Sequence, residues 1–186
     1  MENFVKAISG ISYFTPDDIS LLTSICQSKD LQKGDYWSKE NHASDKIGFI
    51  ETGYLRKFYR KDDKEITDSF YFENSFTADL PSIITNRASL SSAIAEEDTS
   101  VTWFSYKALN ELCSTSHRIE HFVREMIEMT FAQFYYRTVS FILRSPKERY
   151  DDLIKEFSQV LQRAKQYHIA SYLGISAQHL SRLRSS

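Results

Sequence analysis

The sequence predicts an α+β chain: a β-roll or jelly-roll barrel behind short N-terminal helices, then one long helix, then a closing pair of short helices. Three observations carry this prediction. Between Gly34 and about Phe104, apolar and polar residues alternate with period two, punctuated by turn residues. From about Arg118 to Leu143 there is no Gly or Pro, and apolar residues recur at helical spacing. From His168 onward, two apolar, helix-like runs meet at a single glycine, Gly174.

Residues from about Asn3 to Ser28 read as helix. Thr15 is an N-cap, Pro16 occupies the first helical position, and Asp17 and Asp18 fill the first turn. Ile19, Leu22 and Ile25 then share a face. Lys33-Gly34-Asp35 reads as a turn. "KIGFIETGYLRKFYRKDDKEITDSFYF" is dense in aromatic and β-branched residues and is broken at "ETG" and "KDDK". "LSSAIAEEDTSVTWFS" continues the pattern, so several short strands closing into a barrel or sandwich are expected. Between these strands, "NSFTADLPSIITNRA" reads as a short helix and loop.

"SYKALNELCSTSHRI" begins helical, and the long helix follows. Ile119, Phe122, Met126, Met129, Tyr136 and Leu143 form one apolar stripe on it; Val123, Ile127, Phe134 and Phe141 form a second. One stripe can cover the barrel. A second needs another surface, and a copy of the same helix supplies one. A helix buried on both sides within a monomer also fits the pattern. The homodimer is expected, through Phe122, Met126, Met129 and Tyr136. Pro146 ends the long helix and starts the next, which packs through Tyr150, Leu153, Ile154 and Phe157.

The final segment matches a helix-turn-helix template counted from Gln166. A small residue is required at position 5, where the helices cross, and Ala170 stands there. Glycine is required at position 9, in the left-handed turn, and Gly174 stands there. Positions 4, 8, 10, 15 and 18 should be apolar; they are Ile169, Leu173, Ile175, Leu180 and Leu183. Ser176 caps the second helix. Such a helix enters the major groove of double-stranded DNA by its N-terminal end. Ala177, Gln178, Ser181 and Arg182 would then face base edges or the adjacent backbone. Arg182 suits guanine and Gln178 suits adenine. Ser176, His179, Ser181 and Tyr167 can reach phosphates, while Arg184, Arg163 and Lys165 add sequence-independent attraction.

Composition supports that partner through charge placement. Net charge is only −2, yet all 25 acidic residues lie in the first 156 of the 186 positions. Beyond Glu156 the charged side chains are Arg163, Lys165, Arg182 and Arg184. No apolar run is long enough to span a bilayer. The start, "MENFVKAISGISYF", lacks the pattern of a signal peptide, so a cytoplasmic protein without membrane attachment is expected. Cys26 and Cys113 are far apart and read as reduced, buried thiols, with no metal site. The carboxylates of "KDDKE" and "AEED" fall at strand turns without a nucleophile–base–orienter pattern, so no enzyme is expected.

Barrel, long helix and terminal helix-turn-helix together resemble the Crp/Fnr family of bacterial transcription regulators. "LQKGD" and "GFIETGYLRKFY" look like the family's early barrel strands, with Gly34 and Gly53 at its turn glycines, and "ISAQHLSRL" looks like its recognition helix. The resemblance implies a cyclic-nucleotide-binding-like domain over residues 1–116, a dimerising helix over 117–144 and a DNA-binding domain over 145–186. It also implies a palindromic operator, and RNA polymerase as a further partner.

Three departures refine the expectation. Cyclic-AMP-responsive members carry Gly-Glu for the ribose and Arg-Ser or Arg-Thr for the phosphate; here Ala78-Asp79 and Leu90-Ser91 stand in those places. Without the arginine the phosphate loses its main charge-assisted partner. Cyclic AMP is therefore disfavoured, leaving an unidentified small molecule, or a pocket filled by its own side chains. Phe76, Ala78, Asp79, Leu80, Arg87, Leu90 and Ser91 are the candidate pocket residues. Two distant cysteines cannot hold an iron–sulfur cluster, and nothing marks His42, His117 or His121 as a haem ligand, so no cofactor is assigned. The sequence stops three residues after Leu183, where the family continues into a β-wing, which predicts weaker non-specific affinity. Gln178 stands where the family often has Glu. The competing expectation is a ligand-binding module whose last helices contact protein rather than DNA.

Overall fold

The structure, a computed structural model, describes residues 1–185 in two compact units: residues 1–58 with 70–125, and residues 59–69 with 126 onward. The first opens with two helices, α1 (Glu2–Ser9) and α2 (Pro16–Ser24), separated by turns over 10–15. Thr15 caps α2 in a complete capping box with Asp18, and Pro16 starts the helix.

The strands are β1 (Gln27–Leu31), β2 (Tyr36–Ser38), β3 (Lys46–Thr52), β4 (Leu55–Lys61), β5 (Lys64–Tyr71), β6 (Phe76–Ala78), β7 (Ser92–Ala95) and β8 (Thr99–Ser105). They form two four-stranded sheets, ordered β1-β8-β3-β6 and β2-β7-β4-β5. β1 begins at Gln27, where a continuing helix was expected; its "QSKDL" has little apolar character, and pairing with β8 decides its state. At the β4–β5 turn, Asp62 and Asp63 have φ of 49° and 58°, as a two-residue type I′ hairpin requires. Gly53 closes the β3–β4 turn at φ +81°. A Cβ there would lie 2.5 Å from the Asp98 carbonyl oxygen, so both conformation and space demand glycine.

β3 is buried at five successive positions because it is covered on both faces. Ile50, Leu55, Ala93, Ala95 and Val101 cluster with Trp37 and Leu31. Ile47, Phe49 and Phe104 instead pack with Phe4 and Ile8 of α1, Leu22 of α2, and the helices that follow the barrel. A bulge in β3 between Ile50 and Thr52 turns Glu51 inward. Its carboxylate accepts from the backbone N–H groups of Asn3 (2.9 Å) and Phe4 (3.1 Å), from the Thr102 hydroxyl (2.7 Å), and pairs with the Met1 ammonium at 3.3 Å.

α3 (Leu80–Thr85) is the short helix expected inside the barrel, and α4 (Tyr106–Cys113) leads to α5 (His117–Leu143), the long helix. Phe122 lies in the core of the chain itself: it is 8% exposed and meets Phe14 and Phe76 edge to face. Its assignment to a dimer face is therefore corrected, since an aromatic ring closed in by its own core has no surface to offer a second copy. Met126 is half-buried. Met129 (65% exposed) and Tyr136 (71%) do face outward.

The second unit continues with α6 (Pro146–Glu156), started by a Ser145–Glu148 capping box, then α7 (Val160–Arg163), α8 (Gln166–Leu173) and α9 (Ala177–Ser185). Its buried centre comprises Tyr150, Leu153, Val160, Ala164, Ile169, Ala170, Leu173 and Leu180. Among the described residues no helix is long and apolar enough to cross a membrane.

Candidate nucleic-acid interface

α8, the Gly174 turn and α9 form the helix pair that the template anticipated. Gly174 ends α8 at φ +67°, and the Ile175 N–H reaches back to the Ala170 carbonyl at 3.0 Å, closing the α8 terminus in a left-handed cap. The Ser176 hydroxyl accepts from the His179 N–H at 3.2 Å, so Ser176 is the N-cap of α9. Ile169, Ala170, Leu173 and Leu180 are buried, while Ile175 and Leu183 are half-buried. Burial of each leucine contributes about 1.5–3 kcal/mol, enough to fix which side of α9 faces inward.

The predicted contact residues are exposed around α9, with Gln178, Ser181 and Arg182 turned away from Leu180. Ser176, Ala177, Gln178, His179, Ser181, Arg182 and Arg184 are all exposed, as is Tyr167 at the start of α8. Ser176, Gln178, His179, Arg182 and Leu183 line one shallow, open depression. No acidic side chain belongs to α7, α8 or α9. The face thus offers amide, imidazole, hydroxyl and guanidinium groups without a carboxylate to repel a phosphate backbone.

Sequence patterns did not reveal what holds this pair. The Arg149 guanidinium of α6 donates to the Leu173 carbonyl through Nε (3.2 Å) and Nη2 (3.0 Å), and through Nη1 to the Arg144 carbonyl (2.7 Å). One cation therefore satisfies a terminal carbonyl of α8 and the carbonyl of Arg144, the residue that follows α5. Arg137 of α5 donates to the Tyr172 carbonyl at 3.1 Å and stacks 3.7 Å from that ring. Phe141 lies against both guanidiniums, at 5.2 Å from Arg137 and 4.9 Å from Arg149. Burial pushes the Tyr172 hydroxyl pKa above its ordinary value, with Arg137 opposing the shift. Arg149 and Leu173 are 24 residues apart in sequence and Arg137 and Tyr172 are 35 apart, so no local pattern announces these two pairs.

The candidate effector residues do not converge. Phe76 packs edge to face with Phe4, Phe49 and Phe122, and Ala78 pairs with Ile47 in the sheet. Phe76 is thus part of the core rather than the wall of a cavity, because four aromatic rings fill that space. Leu90 is 81% exposed and Arg87 is also exposed, so neither is aimed inward; their assignment to a pocket is corrected. Leu80 is half-buried. Asp79 and Ser91 are buried, and Asp79 Oδ2 has no hydrogen-bond partner. The neighbouring loop closes on itself: the Ser82 hydroxyl donates to the Arg87 carbonyl at 2.6 Å, and the Ser89 hydroxyl to the Ser91 carbonyl at 2.7 Å.

No family profile and no curated protein sequence matches the chain. Solved structures do. FixK2 of Bradyrhizobium japonicum is 16% identical, with 87% of this chain and 83% of that one covered, at a TM-score of 0.74. A protein of Eubacterium rectale assigned to the Crp/Fnr family of transcriptional regulators is 16% identical, covers 91% and 82%, and has a TM-score of 0.67. CLP of Xanthomonas campestris, a c-di-GMP-responsive global regulator of virulence gene expression, is 11% identical, covers 90% and 88%, and has a TM-score of 0.67. At these identities the likeness establishes architecture: the chain has the fold of Crp/Fnr-type regulators with their cyclic-nucleotide-binding-like barrels.

Proposed function

We propose that this protein is a dimeric, sequence-specific DNA-binding transcription regulator of the Crp/Fnr type, working through a palindromic operator. One observation carries the proposal. α9 buries Leu180 and leaves Gln178, His179, Ser181, Arg182 and Arg184 exposed on a helix that carries no acid. A helix so presented, behind a Gly174 turn, matches the groove-reading element of a helix-turn-helix. The similar structures, a global regulator among them, support the same assignment.

The dimer is proposed from α5. Met129, Tyr136 and Leu143 recur every seven residues and are exposed, as are Phe131, Tyr135 and Ile142 beside them. An apolar surface of this extent is expected to be covered by a second copy, which would place two copies of α9 on half-sites about one helical turn apart. Cyclic AMP is not proposed as an effector, because no arginine occupies the phosphate position and Leu90 there points to solvent. RNA polymerase is proposed as a partner only through the regulator role.

The test is titration of the purified protein against labelled duplex DNA at increasing salt. The proposal predicts an affinity that falls linearly on logarithmic axes, as counterions leave the phosphates contacted. Duplex binding absent at every salt concentration would contradict it and favour a protein-binding role for the last helices.

A further inference from the structure

We infer that His179 is a proton-linked phosphate contact, through which DNA binding by α9 strengthens as the medium becomes more acidic. The inference rests on the proposed DNA-binding role of α9 and adds a control on it. The chain has five histidines. His42 Nδ1 lies 2.9 Å from the Glu40 carbonyl oxygen. His117 lies 3.4 Å from the Glu120 carboxylate, and His121 3.3 Å from that of Glu125. His168 is buried in α8. His179 differs from these four. Its ring is exposed, and it has no side-chain hydrogen bond or ion pair among the described residues.

Its surroundings suit an anion. His179 is the third residue of α9, and its backbone N–H donates to the Ser176 hydroxyl at 3.2 Å, which fixes where the side chain leaves the helix. The imidazole lines the same depression as Ser176, Gln178 and Arg182. α9 packs against α8, and the titratable groups of the two helices are Tyr167, His168, Tyr172, His179, Arg182 and Arg184. Neither helix carries a carboxylate, so nothing on them stabilises a proton on His179. A duplex does. Its phosphates lie beside the first turn of a helix that enters the major groove by its N-terminus, where the helix dipole also favours negative charge. An imidazolium donates from both ring nitrogens, whereas a neutral imidazole donates from one and accepts with the other. Phosphate oxygens only accept, so the charged ring gains more in the complex. A group that holds its proton more tightly in the complex takes one up on binding, and affinity then rises as pH falls.

The test is titration of the full chain against a labelled duplex pool of random sequence, at constant salt, from about pH 8 to about pH 5.5, the range over which an imidazole changes charge. A proton held one pKa unit more tightly in the complex corresponds to about a tenfold change in affinity, so Kd is expected to fall by up to about tenfold for each copy of α9 engaged. His179→Gln, which takes no proton, should lose most of this dependence and bind at no pH more tightly than the parent does at about pH 8. His179→Arg, charged throughout, should also be nearly flat and bind more tightly than His179→Gln at every pH. A parent that binds DNA with no dependence on pH would overturn the inference alone. So would a His179→Gln protein that keeps the parental dependence. A parent that binds no duplex at any pH would overturn the DNA-binding role together with the inference.

Discussion

The ring of Phe141, on the long helix, lies 3.0 Å from the point that a Cβ on Gly174 would occupy. Gly174 also has φ +67°. The turn between α8 and α9 is therefore glycine for two separate reasons, backbone conformation and the aromatic ring beside it. Gly174→Ala should destabilise the protein by about 1–2 kcal/mol through left-handed strain alone, with an added cost for moving the ring. Combining it with Phe141→Leu should remove the second part only. Thermal unfolding of both single variants and the double variant checks this; strict additivity would show that ring and turn are uncoupled.

Arg182→Ala should weaken specific DNA binding by about 1–3 kcal/mol and relax the preference at one position of each half-site. Arg184→Ala should weaken binding to all sequences alike and flatten the salt dependence. Competition binding with operator and scrambled duplexes separates the two effects. An Arg182→Ala protein that keeps the full sequence preference would remove Arg182 from the base-reading set.

Replacing Met129 and Tyr136 together by Glu should split the proposed dimer, because both side chains are exposed on α5 and would bring charge into the apolar seam proposed there. Phe122→Leu, by contrast, should lower stability without changing the association state. Sedimentation velocity reports both. A double-Glu variant that sediments like the parent would place the interface elsewhere.

Two buried carboxylates predict acid lability. Hydrogen bonding by the Thr15 hydroxyl, more than any other contact, pulls the Asp18 pKa down, with Ser116 and Arg118 adding to it. Burial alone would raise the Glu51 pKa, but hydrogen bonds from Thr102, Asn3 and Phe4 and the N-terminal ammonium outweigh it, so it too lies below its ordinary value. Groups with lowered folded pKa values contribute stability above the unfolded value, near 4, and lose it as pH falls through the folded value. Unfolding temperature should therefore drop steeply below about pH 4. Glu51→Gln should be less stable at neutral pH and lose less on acidification; a parallel pH profile would contradict the linkage.

Much of this architecture could be read from the chain because local chemistry determined it. Thr15-Pro16, Ser145-Pro146 and Gly174 set helix boundaries through capping and φ, and Asp62-Asp63 set a hairpin. The exposed face of α9 followed from its apolar spacing. β1 was hidden because its polar "QSKDL" becomes strand only by pairing with β8. Phe122 was misplaced because periodicity shows that a helix has an apolar side without showing what covers it. Glu51, Arg137 and Arg149 carried no signal, since the backbone groups of Phe4, Tyr172 and Leu173 that they hold lie at distant positions.

The most direct measurement for the central claim is selection of binding sites from a random duplex DNA pool by the purified protein, with no ligand added. The account predicts enrichment of a two-fold symmetric sequence whose half-sites lie about one helical turn apart. Recovery of an unsymmetric site would contradict the dimeric arrangement, and recovery of no sequence with or without a panel of nucleotides would contradict the regulator itself.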